Sequence, residues 1–134
     1  DYAHHPTELK TLLKTAREVF PSRRLIFAFQ PHLYSRTKLF LADFVRVLSD
    51  VDLVLMPPIY AARDVSPAQQ VISSADVAHL INKAGGASRA FPDFVSIANY
   101  LKVNSIPGDI IISVGAGNGW QIGQNLIKLL KQKS

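Results

Sequence analysis

Apolar positions near the start of the chain recur at helical spacing. Leu9, Leu12, Leu13, Ala16 and Val19 fall on one face of a helix that begins at Pro6-Thr7 and runs to about residue 20. Thr7 is the candidate N-cap, and Pro21-Ser22 ends the element. Residues 25–29, Leu-Ile-Phe-Ala-Phe, are apolar without alternation, which predicts a strand covered on both faces. A loop over 30–35 leads into a helix over 36–49 with Leu39, Phe40, Phe44, Val45 and Leu48 inward. Residues 51–56 make a second buried strand, stopped by Pro57 and Pro58. Residues 59–72 form an irregular loop, and a loop that long in a compact domain is more often functional than idle. Ser73 or Ser74 caps a helix to about residue 84, which Gly85-Gly86 breaks. A short strand over 88–91, a helix over 93–101 and a turn at Pro107-Gly108-Asp109 follow. The most hydrophobic strand, 110–114, runs through a glycine loop at 115–119 into a final helix over 120–131.

Apolar strands alternating with helices predict an α/β fold: a Rossmann-like, mostly parallel sheet flanked by helices on both faces. Ligands in such folds bind beyond the carboxyl ends of the strands, here just after Phe29, Met56 and Val114. The 134 residues fit one domain, and 48% hydrophobic content is enough to fill its core. Fifteen basic against ten acidic residues give a net charge of +5, which suits an anionic ligand or an ordinary solvated surface. Lys10, Lys14 and Arg17 lie on one predicted helix, and Lys128, Lys131 and Lys133 on another. No like-charge block marks a nucleic-acid arm, and no recognition-helix or RNP-type motif is present. No apolar run reaches the ~18 residues of a membrane span. The lack of cysteine excludes disulfides and thiolate metal sites and suits the cytoplasm. The chain opens on Asp1 without methionine and reads as part of a longer polypeptide.

Three clusters could carry chemistry. Asp1, Tyr2, His4 and His5 precede a helix start, where a carboxylate can accept from ribose hydroxyls and unsatisfied N–H groups favour phosphate. The plainer alternative is a frayed end with a chance histidine pair. Gln30-Pro-His-Leu-Tyr-Ser-Arg36 follows the first strand and offers His32, two hydroxyls and the Arg36 guanidinium, whose fork suits a carboxylate. The alternative makes Arg36 a solvated first-turn residue. Gly115, Gly117 and Gly119 form a tight loop that lacks both the dinucleotide fingerprint and a Walker lysine, so packing is its expected role. Tyr60, Arg63 and Asp64 could line the same sheet edge, and Trp120 reads as a core or helix-packing residue. No metal-ligand spacing and no nucleophile elbow is seen.

Asp1-Tyr-Ala-His-His-Pro-Thr-Glu8, Phe29-Gln-Pro-His-Leu-Tyr-Ser-Arg-Thr37, Tyr60-Ala-Ala and Val114-Gly-Ala-Gly117 together, and in this order, resemble the C-terminal domain of the Mur ligase family. The second motif resembles the branch that adds L-alanine. The resemblance implies an ATP-dependent enzyme of peptidoglycan precursor synthesis, joining L-alanine to UDP-N-acetylmuramate through an acyl phosphate. It implies ATP with Mg2+ held mainly by a central P-loop domain, against which this domain packs. It places Asp1 on the ATP ribose and His5 on the ATP side. His4 would lie by the phosphates or reacting carboxylate, as the catalytic candidate. Tyr2, His32 and Arg36 would line the alanine pocket, with Arg36 on the carboxylate. Tyr60, Gly115, Gly117 and Asn118 are further loop contacts. Leu33 stands where many relatives have arginine, and Asn118 where an acidic residue is common. The isolated segment is expected to fold but not to catalyse. The alternatives are a sibling ligase attaching a recycled tripeptide and a non-catalytic nucleotide- or anion-binding module.

Overall fold

A computed structural model describes residues 1–132 of the chain; the expected placement of Lys133 lies outside them. The strands are β1 (Leu25–Phe29), β2 (Leu53–Met56), β3 (Ser88–Ala90) and β4 (Ile110–Val114). They form one sheet of order β3-β2-β1-β4, and every pairing is parallel. The helices are α1 (Pro6–Val19), α2 (Tyr34–Leu39), α3 (Leu41–Leu48), α4 (Ser74–Lys83), α5 (Phe94–Asn104) and α6 (Trp120–Lys131).

β1 explains why its sequence does not alternate. Leu25, Phe27 and Phe29 point into the core shared with α1, α3 and α4, while Ile26 and Ala28 point into the core under α5 and α6. All five are buried. Full burial of each large side chain contributes about 1.5–3 kcal/mol. β4, expected to be the most hydrophobic strand, has its first four residues only half-buried, because it is the sheet edge.

The chain runs from β1 outward to β2 and β3, then returns to place β4 on the other side of β1. That reversal opens a crevice between the carboxyl ends of β1 and β4. Of the three strand ends that the sequence offers, those of β1 and β4 flank this crevice, and the loop after β2 reaches it through Tyr60.

Several expectations are corrected. The N-cap of α1 is His5, not Thr7: the Thr7 N–H donates to His5 Nδ1 at 3.1 Å, and Pro6 in between has no N–H to satisfy. Val19 is exposed, since the buried face of α1 runs through Leu9, Leu13 and Ala16. The helix expected over 36–49 begins at Tyr34 and divides at Phe40 (φ −104°, ψ 21°), and this offset leaves Leu39 exposed. β2 starts at Leu53 rather than at residue 51. The Asp52 carboxylate takes the Leu25 N–H at 2.7 Å, in place of a main-chain rung. Ser73 caps α4, while Ser74 donates its hydroxyl to the Pro57 carbonyl. The long loop contains a short 3-10 turn, Pro67–Gln69, and α5 extends to Asn104. Trp120 is 55% exposed at the start of α6 and is no core residue.

Candidate functional site at the β1–β4 switch

Segments far apart in sequence meet at this crevice. The Asp1 main-chain nitrogen donates to the Ser113 carbonyl at 2.7 Å, and Gly115 N–H donates to the Asp1 carbonyl at 2.9 Å. These two bonds lay the start of the chain along the end of β4. Asp1 Oδ1 accepts the Ala3 N–H at 2.8 Å, which leaves the other carboxylate oxygen available. A cleft of about 420 Å³ beside it is lined by Asp1, Tyr2, Thr7 and Glu8 among others.

The two histidines of this segment diverge. His5 spends Nδ1 on the α1 cap, and its ring packs edge-on against Phe40 with centroids 4.8 Å apart. His4 turns toward β1: its ring lies 5.5 Å from Tyr2 and 6.0 Å from His32. Glu8 Oε1 stands 3.5 Å from His4 Nδ1 and accepts the main-chain N–H groups of His4 and His5. Those N–H bonds, from His4 first, hold the Glu8 carboxyl below its ordinary range.

The loop after β1 supplies the rest. His32 and Tyr60 form an isolated parallel bridge, and their rings stack with centroids 5.4 Å apart. Arg36 Nη1 lies 3.3 Å from His32 Nδ1. A guanidinium only donates, so this ring nitrogen accepts and Nε2 carries the proton of a neutral imidazole. Burial, then the charge of Arg36, pushes the His32 pKa below its ordinary 6.5. Leu33 is buried with φ of 68°, a costly conformation for leucine. It is pinned by donation of its N–H to the Tyr60 carbonyl and by the Thr37 hydroxyl on its own carbonyl.

Gly115 and Gly117 close the glycine loop onto Gln30, and Asn118 is exposed at its tip. Gln30 opens the second sequence cluster, but the sequence assigns it no role of its own. It is buried, donates Nε2 to the Pro58 carbonyl at 3.1 Å, and presents Oε1 beneath Gly117. Ser35 and Asp64 are bonded to each other behind Arg36. No local periodicity marks any of these contacts. Arg63 is exposed in the same loop. Among the described residues no group of three or more His, Asp or Glu side chains could hold a metal ion, so the residues present do not form a Mg2+ cage.

The depressed His32 pKa has a pH consequence. As pH falls, the unfolded chain takes up the His32 proton first, so folding stability declines from about pH 6.5 downward until the folded site also protonates. Melting curves between pH 7.5 and 5 should show a steeper loss for the wild-type domain than for His32→Gln. Parallel slopes would mean that His32 is not held neutral.

The family described as "Mur ligase, glutamate ligase domain" matches residues 1–117. UDP-N-acetylmuramate–L-alanine ligases of Agathobacter rectalis and Caldanaerobacter subterraneus are 47% and 41% identical to the chain over 128 residues. The match covers 96% of this chain and 27% of each relative, so the chain spans about a quarter of their length. Among solved structures, a UDP-N-acetylmuramate–alanine ligase from Thermotoga maritima superposes with a TM-score of 0.74 at 22% identity, covering 100% of this chain and 26% of the other. A murein peptide ligase from Psychrobacter arcticus also gives 0.74, at 21% identity, covering 100% of this chain and 27% of that one. The structural likenesses establish the fold, while the family match and the sequence relatives go further: the chain belongs to the Mur ligase family, as its C-terminal domain.

Proposed function

We propose that the chain is the amino-acid-presenting domain of a bacterial cytoplasmic ligase that joins L-alanine to UDP-N-acetylmuramate with cleavage of ATP. The observation that carries this reading is the convergence of Arg36, neutral His32, Tyr60, His4 and Tyr2 at the switch crevice. The 47% identity to an L-alanine ligase supports the choice of amino acid.

In this reading Arg36 binds the alanine carboxylate through its fork, steadied by its bond to His32. A small amino acid offers little contact area, so a charged clamp must supply most of its orientation. His32, being neutral, adds no second cation that would oppose a protonated amine. His4 stands between Tyr2 and His32, where its ring can take the proton that the alanine amine loses on attacking the acyl phosphate. Asp1 uses its free oxygen on the ATP ribose, and His5 has only its Nε2 edge left for a phosphate. Tyr60, Gly115, Gly117 and Asn118 form the wall of the crevice. ATP brings phosphoryl chemistry with Mg2+, and the described residues offer that ion no cage, so no step above depends on it. Tyr2 and Trp120, 70% and 55% exposed, are surface that a central ATPase domain would cover on closing.

The test is phosphate release from ATP by the full-length protein containing this segment, given UDP-N-acetylmuramate. L-Alanine should stimulate release strongly, a murein tripeptide should not, and the isolated segment should fold yet show no turnover. Stimulation by the tripeptide alone would reassign the substrate, and turnover by the segment alone would refute the division of labour.

A further inference from the structure

Asp64 occupies an unusual place for a surface-loop carboxylate. It is buried, and its Oδ2 accepts both the Ser35 main-chain N–H at 2.9 Å and the Ser35 hydroxyl at 2.7 Å. Ser35 is in the first turn of α2, whose N-cap residue, Leu33, makes no side-chain cap bond of its own. Asp64 therefore caps α2 from a different element, the loop after β2. That loop is itself braced: Asp64 N–H donates to the Ala61 carbonyl at 2.7 Å across Ala62, which has φ of 47°. At its other end, Tyr60 accepts the Leu33 N–H at 2.8 Å. The loop thus grips the start of α2 at Leu33 and at Ser35. Arg36 is the next residue.

We infer that Asp64 is a positioning residue for the amino-acid clamp: through Ser35 it fixes the first turn of α2, and so the point where the Arg36 guanidinium meets the substrate carboxylate. This rests on the alanine-ligase reading above. Asp64 touches no reacting group in that arrangement. Its two bonds to Ser35 hold its carboxyl below the ordinary range, so it remains an acceptor throughout the working pH. Without it, the loop after β2 grips the first turn of α2 only through the Tyr60 carbonyl at Leu33, the Ser35 N–H loses its acceptor, and the clamp can drift. Misplacement of a binding group by ~1 Å costs up to about a hundredfold.

The experiment is steady-state kinetics on the full-length protein with L-alanine, ATP and UDP-N-acetylmuramate each varied in turn. Asp64→Ala should raise the alanine KM by about tenfold or more, while the other two KM values stay within about twofold. Asp64→Asn should recover most of the loss, because its amide oxygen still accepts the Ser35 N–H. Ser35→Ala, which removes only the hydroxyl bond, should shift the alanine KM in the same direction by about threefold. Equal rises in all three KM values, an unchanged alanine KM, or an asparagine variant no better than alanine would each overturn the assignment. If Asp64→Ala does not fold, the decision passes to Asp64→Asn and Ser35→Ala, and an alanine KM unchanged in Ser35→Ala overturns it. The wild-type control separates the two layers. A wild type that ignores L-alanine sinks the substrate reading, and the KM split is then measured on the amino compound it does use.

Discussion

Arg36→Ala in the full-length protein is expected to raise the KM for L-alanine by about two orders of magnitude, with the KM for ATP changed by less than about threefold. A charge-assisted bidentate contact to a carboxylate contributes about 1.5–3 kcal/mol, and a factor of ten corresponds to about 1.4 kcal/mol. Alanine has few other handles, so little compensates. The substitution also frees His32 Nδ1 from its 3.3 Å contact, which lets the stacked pair with Tyr60 relax and adds to the loss. Arg36→Lys keeps the charge but not the fork and should recover only part of the binding. Steady-state kinetics with each substrate varied makes the distinction. Matching increases for alanine and ATP would place Arg36 in general folding or closure rather than on the amino acid.

Gly115→Ala is expected to be the most damaging single-methyl change in the site, costing about 3 kcal/mol or more of folding stability. Two penalties combine. The backbone at Gly115 has φ of 136°, which side-chain-bearing residues rarely adopt. A Cβ there would also stand 2.7 Å from the Gln30 carbonyl oxygen, at the end of β1. That neighbour is main chain and cannot swing aside. It is also fixed, since Gln30 N–H donates to the Val114 carbonyl at 3.0 Å. Relief must come from separating β4 from β1 at the crevice, and with it the Asp1 segment that Gly115 N–H holds. Urea titration of the domain should show a lower midpoint with an unchanged slope. Gly85→Ala provides the comparison: it also has positive φ (95°) but nothing within 4 Å of the new methyl, so it should cost only the backbone strain. Equal losses at the two positions would show that the Gln30 contact contributes nothing.

Much of the architecture is legible in the amino-acid sequence itself. The unbroken apolar run from Leu25 to Phe29 determines a strand buried on both faces, because a strand with one wet face would alternate. The parallel α/β class follows from repeating that pattern between amphipathic helices. Residues 1–5 and 30–36 were also visible as chemistry, since their donor and acceptor types suit phosphate and carboxylate wherever they sit. Other features are non-local, and periodicity cannot encode them. The return of the chain to put β4 against β1, rather than beyond β3, decides that the Asp1 segment and His32 share one crevice. His4 and His5 look equivalent in sequence, yet the cap geometry turns one to the site and the other to Phe40. The α2–α3 offset at Phe40 overrides a helical stripe that reads as continuous. Asp64 reaches Ser35 across 29 positions. The lowered pKa of His32 comes from burial first and then from the charge of Arg36, and burial is set by the tertiary packing. Local pattern determined which elements form and which residues carry groups suited to phosphate or carboxylate. Only tertiary packing decided which of those residues face one another, because that depends on strand order and on bonds between segments that share no local period.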